Sequence, residues 1–233
     1  YASAFRAIGP AAIKLGQTLA TRPDLVGEEA AHNLLLLQDA LPPVPFTQVK
    51  PQIEAAMGRP ITALYSRFDE DPIGSASVAQ VYHATTLDGA DVAVKVLRPG
   101  VREKFTADIA TYEWAAAHLE AMGPEAARLR PRMVIANFKR WTMNELDLRR
   151  EAASASELAE AATALTGYAV PTIDWERTCG SVMTLEWIDG IKIADRAALI
   201  AAGHDVKLRA SRLVNAFLRQ AISDGFFHAD MHQ

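Results

Sequence analysis

Lys95 stands in the run Val92, Ala93, Val94, Lys95, Val96, an alternation that reads as a β-strand. Taken alone, a lysine so placed either snorkels to solvent from an edge strand or serves an anion. Upstream of it lie Gly74, Ser75, Ala76, Ser77, Val78, Ala79 and Gln80, nearly all of them small. Such a stretch lets backbone N–H groups approach a phosphate and donate to it, and it is equally the composition of a tight hairpin turn. Lys14 and Gln17 are three residues apart, so on a helix both point to one face. By pattern that face is a solvated one. Glu151, beside Arg149 and Arg150, reads as a surface helix charge. Cys179 has no His or Lys beside it to activate it, and His32, His83, His118 and His204 lack metal-ligand spacing. Trp114, Trp141, Trp175 and Trp187 read as core or hinge residues rather than base-stacking platforms.

The elements that position these groups follow from periodicity. Helices are predicted over about 3–20 and 24–37. Prolines in Leu41-Pro42-Pro43-Val44-Pro45-Phe46 impose an extended linker, and a short helix follows near 47–57. Strands are predicted near 67–73, 78–86 and 91–98, with Asp88-Gly89 as the turn of a hairpin. Helices near 102–122 and 131–165, a strand pair near 170–176 and 181–187, and helices near 194–202 and 205–224 complete the chain. This is an α+β order, not the βαβ alternation of a doubly wound sheet.

Composition narrows the function classes. The 233 residues are 50% hydrophobic and carry a net charge of −4, enough for a real core. No basic surplus exists for a nucleic-acid partner. One cysteine excludes an intrachain disulfide framework. No apolar run reaches the roughly 18–20 residues of a membrane span, and the first residues do not read as a signal peptide.

A small-residue hairpin followed one strand later by Val-Ala-Val-Lys is the arrangement of the protein-kinase N-lobe. The departures are one glycine in the loop where three are usual, and a partner glutamate displaced to Glu151 by a two-helix insertion over about 101–140. The full set of motifs resembles the UbiB-type (aarF-domain) atypical kinases linked to ubiquinone biosynthesis. It comprises Lys14-Leu15-Gly16-Gln17 (the family's K-x-G-Q) with TRPDL after it, LQDALPPVPF, GSASVAQVY, VAVKVLRPGV, Glu145-Leu146-Asp147 (E-x-D), VMTLEWIDG and FFHAD. Each is weak alone, but the ordered set is specific.

The resemblance implies a protein-kinase-like fold with a helical N-terminal extension (1–66), an N-lobe with a helical insert (67–187), and the start of a truncated C-lobe (188–233). It implies a loop over the nucleotide phosphates from Ile73 and Gly74 through Ser75, Ala76, Ser77, Val78, Ala79 and Gln80 to Val81. Lys95 resembles the phosphate-contacting lysine and Glu151 its ion-pair partner. Glu186 and Ile188 resemble the hinge that receives adenine through backbone groups, and Asp230 the catalytic aspartate. Where the family runs H-A-D-P-H-P-G-N, Met231 and Gln233 replace the prolines and His232 is kept, which makes the loop less rigid. Lys14 and Gln17 would lie over the site with Glu145 and Asp147 as polar partners. Ala76, in place of glycine, limits how the backbone wraps the phosphates and should alter nucleotide preference.

The cofactors implied are ATP and Mg²⁺, with the metal ligands expected beyond Gln233, so that these residues alone would hold no catalytic metal. The partners implied are ATP or ADP, a quinone-precursor lipid, other ubiquinone-biosynthesis proteins and a membrane surface. The implied location is the cytoplasmic face of a bacterial inner membrane, with this stretch itself soluble. The rival reading is a pseudokinase scaffold that binds nucleotide without chemistry. Retention of Lys95, Glu151 and Asp230 together favours chemistry. A small-molecule kinase of the aminoglycoside-phosphotransferase type is disfavoured by K-x-G-Q and E-x-D.

Overall fold

The computed structural model describes residues 4, 5, 8–35, 42–163 and 167–227. Three helices come first: α1 (Pro10–Ala20), α2 (Pro23–Val26) and α3 (Glu28–Leu34). The single helices expected over 3–20 and 24–37 are thus each interrupted. Gly9 (φ 128°) breaks the first ahead of Pro10, and Gly27 (φ 84°) divides the second. Both are backbone conformations that glycine adopts without steric cost. Ile13, Ala20 and Leu34 bury together and join these helices.

Helix α4 (Phe46–Met57) follows the proline linker and ends at Gly58 in the left-handed region. Strands β1 (Tyr65–Phe68), β2 (Gly74–Ser75), β3 (Ala79–Thr86) and β4 (Asp91–Leu97) come next. The Asp88-Gly89 turn closes β3 on β4, with Thr86 N–H donating to the Ala90 carbonyl at 2.9 Å and Gly89 at φ 91°. Beyond Pro99-Gly100 stand α5 (Val101–Ala121), α6 (Pro124–Arg128), α7 (Pro131–Glu145) and α8 (Leu148–Ala162). The chain then adds β5 (Ile173–Asp174) and β6 (Val182–Glu186), followed by α9 (Arg196–Ala201), α10 (Val206–Arg219) and a π-helical turn, Gln220–Asp224.

The six strands form one sheet in the order β1-β3-β4-β6-β5, with β2 against β3 and every pairing antiparallel. Strand alternation sorts its side chains onto two faces. Val92, Val94 and Val96 of β4, with Tyr82 and Ala84 of β3, bury against Val49 and Ile53 of α4. Burial on this face pushes the Tyr65 hydroxyl up to about 12, and it bonds Thr184 Oγ1 at 2.7 Å. The opposite face, with Ala79, Leu97 and Met183, packs on Phe105 and Ile109 of α5, Phe138 of α7 and Leu148 and Ala152 of α8. Ala11 of α1 joins that second core.

Three expectations are corrected. The helix read over 131–165 is two helices, because Asp147 caps a new one by accepting from Arg149 N–H at 3.2 Å. The break keeps Leu146 and Leu148 buried on either side, so apolar spacing alone does not reveal it. The first strand is Tyr65–Phe68 rather than 67–73, and the one near 170–176 shrinks to Ile173–Asp174. There the Asp174 carboxylate accepts from Arg177 N–H at 3.1 Å and starts a 3₁₀ turn. Among the described residues no helix is long and apolar enough to cross a membrane.

Candidate active site

Period-two alternation turns Lys95 to the face opposite Val94 and Val96, the face covered by α8. Glu151 lies in the first turn of α8, on the side that also presents Leu148 and Ala152 to the sheet. The two meet: Lys95 Nζ donates to Glu151 Oε1 at 2.7 Å and to Oε2 at 2.8 Å. Their side chains are 28% and 47% exposed, so an ion pair of this kind contributes little to stability. A cavity of ≈ 310 Å³ opens beside α8, its lining including Glu151, Ser154, Leu158, Tyr168 and Pro171.

The 73–81 segment is a hairpin. Ile73 N–H donates to the Val81 carbonyl at 2.8 Å, and Ala76 N–H to the Ala79 carbonyl at 2.9 Å. Gly74 and Ser75 register against Val81 and Gln80. Ala79 and Val81 share the Lys95 face by alternation, whereas Gln80 falls on the other face with Tyr82. Its side chain is therefore directed away from the lysine. Gln80 is 1% exposed, accepts from Val44 N–H at 2.8 Å and donates to the Tyr82 hydroxyl at 2.9 Å. Ser77 is buried as well.

At the end of β6, Glu186 N–H donates to the Thr172 carbonyl at 2.8 Å, and its carboxylate accepts from Thr172 N–H at 3.1 Å. Trp187 N–H donates to the Asp91 carbonyl at 3.2 Å, and Ile188 is exposed. His83 stacks edge-on against Trp187 with ring centroids 4.5 Å apart. Its Nδ1 lies 3.0 Å from Asp69 and its Nε2 3.3 Å from Asp91. The bond from His83, reinforced by Arg67, holds the Asp69 carboxyl below its usual range. Sequence reasoning missed this cluster at the end of β6, and no local spacing signals it.

Lys14 on α1 pairs with Glu145 at the end of α7 at 3.0 Å. Asp147, the second partner expected for that helix, has Arg149 as its ion-pair partner among the described residues. It binds the Arg149 guanidinium at 2.7 and 2.9 Å while capping α8, and that bond keeps its carboxyl below the usual range. Gln17 lies half-buried on the same helix as Lys14. The junction between α7 and α8 is fastened on two sides: Arg102 Nη2 donates to the Leu146 carbonyl, and Leu148 N–H to the Gly180 carbonyl at 3.0 Å. Asp230, with His228 and His232, lies outside the described residues.

A cation on a strand, gripped by a helical carboxylate and lying on one sheet face with a small-residue hairpin, can neutralise and orient a polyphosphate. Comparison with known proteins points the same way. The family of the ABC1 atypical kinase-like domain matches residues 36–233. The chain is 42% identical over 229 residues to a protein named "Probable protein kinase UbiB" from Marinobacter nauticus, covering 98% of this chain and 42% of that one. A protein of the same name from Pseudomonas fluorescens is 41% identical, with 98% and 43% covered. The chain thus spans less than half the length of these curated relatives. Among solved structures, the Rv3197–erythromycin complex from Mycobacterium tuberculosis superposes with a TM-score of 0.66 at 28% identity, over 94% of this chain and 54% of that one.

Proposed function

The chain belongs to the ABC1 atypical kinase-like family, and from that premise we propose that it binds ATP and directs phosphoryl chemistry in support of ubiquinone biosynthesis. The observation that carries this reading is the two-bond contact between Lys95 and Glu151. In this reading Lys95 neutralises phosphate oxygens and Glu151 holds the ammonium in place, because a free lysine samples many rotamers. The hairpin from Ile73 to Val81 covers the phosphates, and the backbone at Glu186 and Ile188 receives the adenine. Asp230 orients the attacking hydroxyl or water. Magnesium would supply charge neutralisation between phosphates, and its ligands are expected outside the described residues. The extension that carries Lys14 and Gln17 closes the site to protein substrates. This turns the phosphoryl transfer toward hydrolysis or toward a small acceptor such as a quinone-precursor lipid, at the cytoplasmic face of the inner membrane among other quinone-synthesis proteins.

The test is ATP turnover by the full-length protein. Lys95→Met and Asp230→Asn are each expected to lower it about 10²-fold or more. If Asp230→Asn hydrolyses ATP as fast as the parent, the enzyme reading falls and a nucleotide-binding scaffold replaces it.

A further inference from the structure

We propose that Arg98 and Gln80 are positioning residues that fasten the 73–81 hairpin to the proline linker, so that nucleotide binding and docking of that linker are coupled. The inference rests on the hairpin's role in nucleotide binding given above. Arg98 is the first residue after β4, and its N–H donates to the Val78 carbonyl at 2.9 Å. Among the described residues its guanidinium then reaches three further acceptors. Nε donates to the Ala76 carbonyl at 2.8 Å, and Nη2 donates to Ser75 Oγ at 2.7 Å and to the Pro42 carbonyl at 3.0 Å. One rigid fork thus joins the turn of the hairpin to the linker that precedes α4. A lysine, a point charge on a flexible stem, cannot copy that geometry.

Gln80 makes the second fastening. Its side-chain carbonyl accepts from Val44 N–H at 2.8 Å, and its amide nitrogen donates to the Val44 carbonyl at 3.3 Å. The side chain therefore pairs with Val44 as a strand residue pairs with its neighbour. Pro42, Pro43 and Pro45 carry no N–H, so Val44 supplies the one main-chain donor of residues 42–45 and spends it on Gln80. The prolines also hold the linker near its docked form, which lowers the entropy lost on docking. Arg98 meets the hairpin at Ser75 and Ala76 and Gln80 meets it from β3, so a ligand that orders the hairpin orders the linker too. By reciprocity, a docked linker strengthens nucleotide binding by the same factor.

Hydrogen exchange at the Val44 amide in the full-length protein, with and without ADP, reads the coupling directly. Nucleotide is expected to slow exchange at Val44 as well as within the hairpin. Arg98→Ala is expected to weaken ADP binding about fivefold or more and to abolish the nucleotide-dependent slowing at Val44. Arg98→Lys is expected to restore neither. Gln80→Leu, which fills the buried position but removes both bonds to Val44, is expected to act like Arg98→Ala and serves if that variant does not fold. Three results overturn the coupling alone: parent protein that binds ADP with Val44 unchanged, variants that keep both affinity and the Val44 response, or variants that lose only thermal stability. Parent protein that binds no nucleotide overturns the nucleotide reading, and the coupling with it.

Discussion

Lys95 and Glu151 hold each other with both carboxylate oxygens while much of the pair remains in solvent. Glu151→Gln should therefore change thermal stability by less than about 1 kcal/mol while lowering nucleotide turnover far more, and calorimetry beside a turnover assay separates the two. Asp147 offers a complementary test. Its carboxyl is held low by Arg149, so the folded-state value lies below the unfolded one of about 3.9. The stability it contributes is fully present above the unfolded value and is lost as pH falls through the folded one. Asp147→Asn keeps a cap and should flatten that acid slope, whereas Asp147→Ala should also cost about 1 kcal/mol at neutral pH. Unfolding curves between pH 7 and pH 3 distinguish them. At this scale the sequence was partly legible. Lys95, Glu151, Lys14 and Glu145 were readable as a set because motif order names them. Arg98 and the side-chain role of Gln80 were not, because spacing does not say onto which backbone a long polar side chain folds back.

Helices and strands were legible where a period ran uninterrupted. The β3–β4 hairpin appears where alternating valines and Asp88-Gly89 place it. Gly89 sits at φ 91° with open space around its Cβ position, so Gly89→Ala should cost about 1–2 kcal/mol through backbone conformation alone, measurable by denaturant unfolding. What the period hides is a break that preserves burial. Glycine or a capping carboxylate stops each of the helices read too long, and Leu146 and Leu148 stay buried across one such stop. The hairpin carries its own prediction. Ala76→Gly frees the backbone at a residue whose N–H and carbonyl are both engaged, by Ala79 and Arg98. Its relative affinity for ATP and ADP, measured by titration, should differ from the parent's.

Among the described residues the strands form one antiparallel sheet with a core on each side. Phe105 anchors the side that holds α5 and α8, and Ile53 the side that holds α4. Phe105→Ala should cost about 3–5 kcal/mol and Ile53→Ala about 2–5 kcal/mol. Both should shift the same cooperative transition, because the two cores share the strands between them. Coincident unfolding curves by fluorescence and circular dichroism check this. The α+β class was legible from element order, while the joining of α1 to the second core through Ala11 was not, since small residues at a helix contact leave no periodic mark. The α7–α8 junction gives this architecture a mechanical property. Glu145 closes one helix and grips Lys14, and Glu151 opens the next and grips Lys95. Between them the main chain is pinned to α5 through Arg102 and to the Gly180 turn through Leu148. Two ion pairs, one to the N-terminal helix and one to the strand lysine, thus hang from a single stretch of main chain that is itself tied down between them.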